Sequence, residues 1–153
     1  MKVLEDFDRL LAHLDDNGPD AAARESARHI QAFFSGPARQ HHADEERLVF
    51  PILLASGDAQ LIQHVQRLQQ DHGWLEEDWI ELSTQIEAIA SGYNWYDVNN
   101  LRHALPIFTA LYHEHIALEE SLIYPEARRR EEALRHGQEA RSEAATATPQ
   151  PRR

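Results

Sequence analysis

Apolar positions recur along this chain in steps of three and four, the period of helices with one buried face. The most regular run covers about residues 58–90, where Leu61, Val65, Leu68, His72, Leu75, Trp79, Leu82, Ile86 and Ile89 alternate steps of 4 and 3. A second run, over about 97–130, places Leu101, Leu105, Phe108, Tyr112, His115, Glu119 and Leu122 on one stripe. A third, over about 20–54, carries Ile30, Phe34, His41, Glu45, Leu48 and Ile52. It passes Pro37, which kinks or breaks the helix because proline lacks a backbone donor and crowds the preceding turn. A shorter run ends near residue 16, with Val3 or Leu4, Phe7, Leu10, Leu11 and Leu14 on its apolar face. Asn17-Gly18-Pro19-Asp20, Ala55-Ser56-Gly57-Asp58 and Ser91-Gly92-Tyr93-Asn94-Trp95 separate the runs. Four helices with short turns predict an all-α, up-down-up-down four-helix bundle with a short first helix. The bundle spans residues 1–130. Apolar periodicity fades afterwards, so residues 131–153 are expected as frayed helix and then disorder.

The stripes hold groups that do not belong in an apolar interior. A buried carboxylate is costly unless something pairs with it, and a His and a Glu four residues apart point the same way from a helix. His41-His42-Ala43-Asp44-Glu45-Glu46-Arg47-Leu48-Val49-Phe50-Pro51 overlays the segment from His115 to Pro125: Glu-Glu, an apolar pair with an aromatic, then Pro recur at equal spacing. The overlay matches His41 with His115 and His42 with Ile116. Counting from the turns tests whether these groups meet. From Ser56, His41 lies 15 residues back and His72 lies 16 forward; from Trp95, His72 lies 23 back and His115 lies 20 forward. His41, His72 and His115 therefore fall within about one turn of a common level. Glu45 and Glu119 sit one turn away. Glu76, four residues after His72, either reaches a metal from the flank or stays solvated. His42, Glu46 and Glu120 are expected in supporting or surface contacts. His13 falls roughly 27 Å of axial rise from the His41 level and is a poor ligand candidate. The first helix is too short to reach the site, which should be open on that side.

Charge and composition narrow the partners. A net charge of −11 argues against nucleic acid and anionic membrane surfaces. No apolar run approaches membrane-spanning length. The absence of cysteine excludes a thiolate metal site and suits a reducing cytoplasm.

His-xxx-Glu-Glu-xx-Val/Ile-Phe/Tyr-Pro, present twice with a lone His on the helix between, resembles the hemerythrin-like (HHE cation-binding) family over about residues 20–127. The resemblance implies two non-haem irons near one end of the bundle, with His41, Glu45, His72, His115 and Glu119 as ligands. It implies bridging roles for the two glutamates, as in the branch resembling iron-centre repair proteins. The oxygen-carrying branch has a second His four after the third-helix His and an Asp near the end of the fourth helix. This chain has Glu76 at the first of these places and no matching Asp, and the family's first-helix His has no counterpart.

Imidazole and carboxylate donors without thiolate suit iron, with zinc or manganese as substitutes. Three functions are compatible with such a centre: a binding protein that senses, scavenges or stores O2, NO, peroxide or iron; an iron-donating or peroxide-consuming enzyme; or an interaction module with a structural metal. A homodimer is compatible with each.

Overall fold

The structure of the protein, a computed structural model, describes residues 2–146. Helix α1 (Lys2–Asn17) is the first rod of the bundle. The second comprises α2 (Ala21–Ser35), α3 (Pro37–Asp44), a π-helical turn (Glu45–Val49) and α4 (Phe50–Leu54). Helix α5 (Ala59–Ala90) is the third. The fourth runs through α6 (Val98–Leu118), a second π-helical turn (Glu119–Ile123) and α7 (Tyr124–Thr146). Helices α1 and α5 each pack against both α2 and α6, so the rods close into the expected four-helix bundle. No strand occurs among the described residues, and no helix there is long and apolar enough to cross a membrane. Helix α7 extends to Thr146, and its described side chains beyond residue 130 are almost all exposed. Residues 147–153 of the expected tail lie outside the described residues.

The turns form as their residues dictate. Gly18, Gly57 and Gly92 adopt φ of 69°, 76° and 78°, the left-handed region that side chains disfavour. Asp20, Asp58 and Asp97 cap the helices that follow. Asp58 accepts from the amides of Gln60 and Leu61 at 3.1 and 3.2 Å. Asp58→Ala should therefore cost about 1 kcal/mol, measurable by urea denaturation.

Two apolar cores fill the bundle. In the larger, the Phe34 ring lies 5.1–5.4 Å from those of Phe7, Trp79, Phe108 and Tyr112. The smaller joins Phe50, Leu53, Leu61, Val65, Leu68 and Ile123. Outside both clusters of buried apolar residues are the buried polar ones: Glu45, Asp71, His72, His115 and Glu119.

All nine stripe positions of α5 are buried, as are the stripe positions of α6 through Glu119. Beyond the glutamates the expected stripes fail. Leu48 and Ile52 are 56% and 46% exposed, whereas Phe50, Leu53 and Ile123 are fully buried. The cause is the paired π turns. Phe50 N–H donates to the Glu45 carbonyl and Tyr124 N–H to the Glu119 carbonyl, each across five residues instead of four. A proline follows at once in both copies. Its ring would crowd the carbonyl four residues back, and a widened turn relieves that contact. One extra residue per turn moves the inward stripe on by about one position.

Candidate metal centre

Helix α3 starts afresh after Gly36, with Pro37 in its first turn. Its inward line runs Ala38, His42, Glu45 instead of His41, Glu45. The structure thus places the adjacent histidines differently from the sequence overlay. His42 points into the bundle: its ring stacks 4.2 Å from that of His72 and lies 5.7 Å from that of His115. The His41 side chain is 58% exposed at the rim, with Nε2 3.4 Å from Glu45 Oε1.

Two groups of donor atoms result. His42, Glu45, His72 and His115 form an inner group; His41, Glu45 and Glu119 form an outer one; each is compact enough to hold a metal ion. Glu45 belongs to both. Its Oε1 lies 3.4 Å from His41 Nε2 and 3.4 Å from His72 Nε2. His72 Nε2 and His115 Nε2 face each other at 3.2 Å, and His115 Nε2 sits 2.5 Å from Glu119 Oε1.

Supporting contacts set the imidazole orientations. Glu46 Oε1 lies 2.8 Å from His72 Nδ1, and Gln69 Nε2 donates to Glu46 Oε2 at 3.2 Å. A proton held on Nδ1 by Glu46 leaves the Nε2 lone pair aimed at the site, as metal-binding histidines require. Asp71 Oδ2 stands 3.5 Å from His115 Nδ1 on the opposite side.

The electrostatics favour a cation. Burial, with the crowding of neighbouring imidazoles that would repel a charged ring, pushes His42 down to about 3, and burial lowers His72 as well. Both imidazoles are therefore neutral near pH 7. Burial and the adjacent Glu119 push Glu45 up to about 9. Burial pushes Glu119 up too, but its contacts with His115, Glu45 and Tyr124 outweigh that and hold it down to about 2. The two carboxyls thus share one proton between them, as a unit. Glu45 Oε1 and His115 Nδ1 are buried without a hydrogen-bond partner among the described residues, and Glu119 Oε1 meets only the His115 Nε2 already described; a buried polar atom left without a partner costs about 1–3 kcal/mol. A cation coordinated by the two carboxylate oxygens would satisfy them and replace the shared proton. The residues present fit a metal.

The remaining expected residues fall outside the two groups. Glu76 is held by Arg39, at 2.5 Å from Nη2 and 3.2 Å from Nε. Glu76→Ala should leave metal content unchanged by elemental analysis and cost under about 1 kcal/mol, because the ion pair is exposed. His13 is bound to Asp20 at 2.7 Å, beside the first turn. Glu120 is exposed.

Tyr124 is a site residue that helical periodicity could not assign. In an α-helix, residues five apart diverge by about 140°. The π turn brings Tyr124 back over Glu119, where its hydroxyl donates to Glu119 Oε2 at 2.8 Å. It also lies 3.2 Å from Glu45 Oε2 and 2.9 Å from His41 Nε2. The repeated aromatic-Pro pair was the available signal. Phe50, the counterpart of Tyr124, stacks 5.5 Å from His72.

Comparison with known proteins places the chain in a family. The profile of the hemerythrin HHE cation-binding domain matches residues 1–127. An uncharacterized protein of Haemophilus influenzae is 33% identical over 110 residues, which are 72% of this chain and 62% of that relative's length. The chain thus spans less than two thirds of that relative. No solved structure matches. With the family profile matched over most of its length, the chain belongs to the hemerythrin HHE cation-binding domain family.

Proposed function

We propose that this protein holds two cations, iron foremost, joined by the Glu45 carboxylate, and that the centre takes up a small redox-active ligand: O2, NO or peroxide. The observation that carries this reading is the equal 3.4 Å reach of Glu45 Oε1 to His41 and to His72, one from each donor group. A carboxylate shared between two donor groups supports the bridging-glutamate branch of the family. Iron, when bound, supplies the electrons and open coordination positions. The chain's own residues orient the donors, keep His42 and His72 neutral and shape the access.

The access is a cleft of about 370 Å³ between α3 and α6. Phe33, Pro37, Ala38 and Ile116 form its apolar wall, and His41, His42, His115 and Glu119 line it beside them. An apolar passage admits diatomic gases readily and disfavours hydrated anions. Ligand sensing or scavenging is therefore the primary reading. A second reading, delivery of iron from the outer position, is favoured by the exposure of the His41 side chain. Ferrous reconstitution without oxygen, followed by optical titration with NO, O2 and peroxide, separates the two. Saturable spectral changes with retained iron support ligand handling. Iron passing to a chelator in a fast first phase without any ligand response supports delivery. Absence of bound iron after reconstitution would contradict both.

A further inference from the structure

The outer donor group looks incomplete beside the inner one. The inner group has three imidazoles and Glu45, whereas the outer has one imidazole and two carboxylates. Helix α1 does not make up the difference: its buried residues, including Leu4 and Phe7, lie in the larger apolar core.

We infer that Tyr124 supplies the fourth protein donor to the outer cation, through its phenol oxygen. The inference rests on the two-cation reading above. Its first support is distance. The hydroxyl lies 2.8, 2.9 and 3.2 Å from Glu119 Oε2, His41 Nε2 and Glu45 Oε2. Metal–donor bonds near 2.0–2.1 Å give donor–donor edges of about 2.9 Å in an octahedron and about 3.3 Å in a tetrahedron. Tyr124 therefore already stands where a vertex of such a polyhedron belongs.

The second support is hydrogen-bond arithmetic. A phenol has one proton to give. Three acceptor-capable atoms surround this hydroxyl within hydrogen-bond distance. A cation at the centre of the four atoms satisfies all of them together, and the phenol proton leaves to solvent. The third support is the asymmetry of the repeat. The two π turns place equivalent aromatic residues beside the centre, Phe50 next to His72 of the inner group and Tyr124 in the outer. The hydroxyl occurs only where imidazole donors are fewer.

The test uses the full chain reconstituted with ferrous iron and then oxidised in air. Elemental analysis gives the stoichiometry, and the optical and resonance Raman spectra report the ligands. Ferric phenolate ligation predicts a visible charge-transfer band with enhanced tyrosinate ring modes. Both should survive Tyr112→Phe and vanish in Tyr124→Phe, which should also release the outer iron to a chelator at least about tenfold faster. Two bound irons with no tyrosinate modes would overturn this inference and leave the two-cation reading standing. So would modes that persist in Tyr124→Phe. A wild-type chain that binds no iron would overturn both. Should Tyr124→Phe fold poorly by circular dichroism, the wild-type Raman spectrum and the Tyr112→Phe variant still decide the matter.

Discussion

Replacing Glu45 with alanine should strip the protein of both cations. Every other donor serves one group, but the Glu45 carboxylate reaches His41 and His72 at the same 3.4 Å. With an ion in each group, removing it would take a donor from both and the negative charge between them. Each association constant should fall by at least about 100-fold, beyond the loss typical of a merely supporting residue. Glu119→Ala should also lose metal, the outer ion first. His41→Ala should loosen the outer ion and leave the inner one in place, while His13→Ala should change neither. The fold should survive Glu45→Ala, because that substitution removes a buried carboxyl with an unpartnered oxygen from the metal-free chain. Elemental analysis beside circular dichroism checks both halves. Full metal occupancy in Glu45→Ala would refute the shared-carboxylate geometry.

Metal loading should raise the melting temperature strongly, and more so at higher pH. A ligand at about 1,000 times its dissociation constant stabilises the native state by about 4 kcal/mol. In a domain of this size that corresponds to roughly 8–16 °C. The pH dependence follows from Glu45. In the metal-free chain its carboxyl is raised to about 9, so near neutrality it carries a proton that a cation must displace. Each unit of pH lost between roughly 8 and 6 should weaken binding at least about tenfold, the cost of one proton. His42, lowered to about 3, stays neutral across that window and adds nothing to the slope. Calorimetry in buffers of different ionisation enthalpy counts the released protons. A pH-independent affinity would contradict the shared-proton description of Glu45 and Glu119.

The sequence showed most of the bundle because long helices keep one period. The α5 stripe from Leu61 to Ile89 is buried at every expected position. Counting from the turns brought His72 and His115 to one level, and their rings lie 4.8 Å apart. The family relation was legible in the repeated motif. What escaped were places where the period changes. The break at Gly36 rephased α3, so His42 and not His41 faces inward. The π turns moved the stripe from Leu48 and Ile52 to Phe50 and Leu53, and they turned Tyr124 onto Glu119. Pro51 and Pro125 marked those turns, but a proline does not say whether a helix kinks, stops or widens. Asp71 escaped for another reason: a supporting carboxylate shows no spacing of its own and becomes evident only once the imidazole it contacts is placed; Glu46 was expected in such a contact and makes it with His72.

The most direct measurement of the central claim is anomalous scattering at the iron edge from crystals of the reconstituted protein. Two peaks are expected, one among His42, His72 and His115 and one among His41, Glu119 and Tyr124. Glu45 should lie between them, with the peaks roughly 3.5–4 Å apart as in other two-metal sites. A single peak, or peaks confined to surface histidines such as His103 or His136, would contradict it.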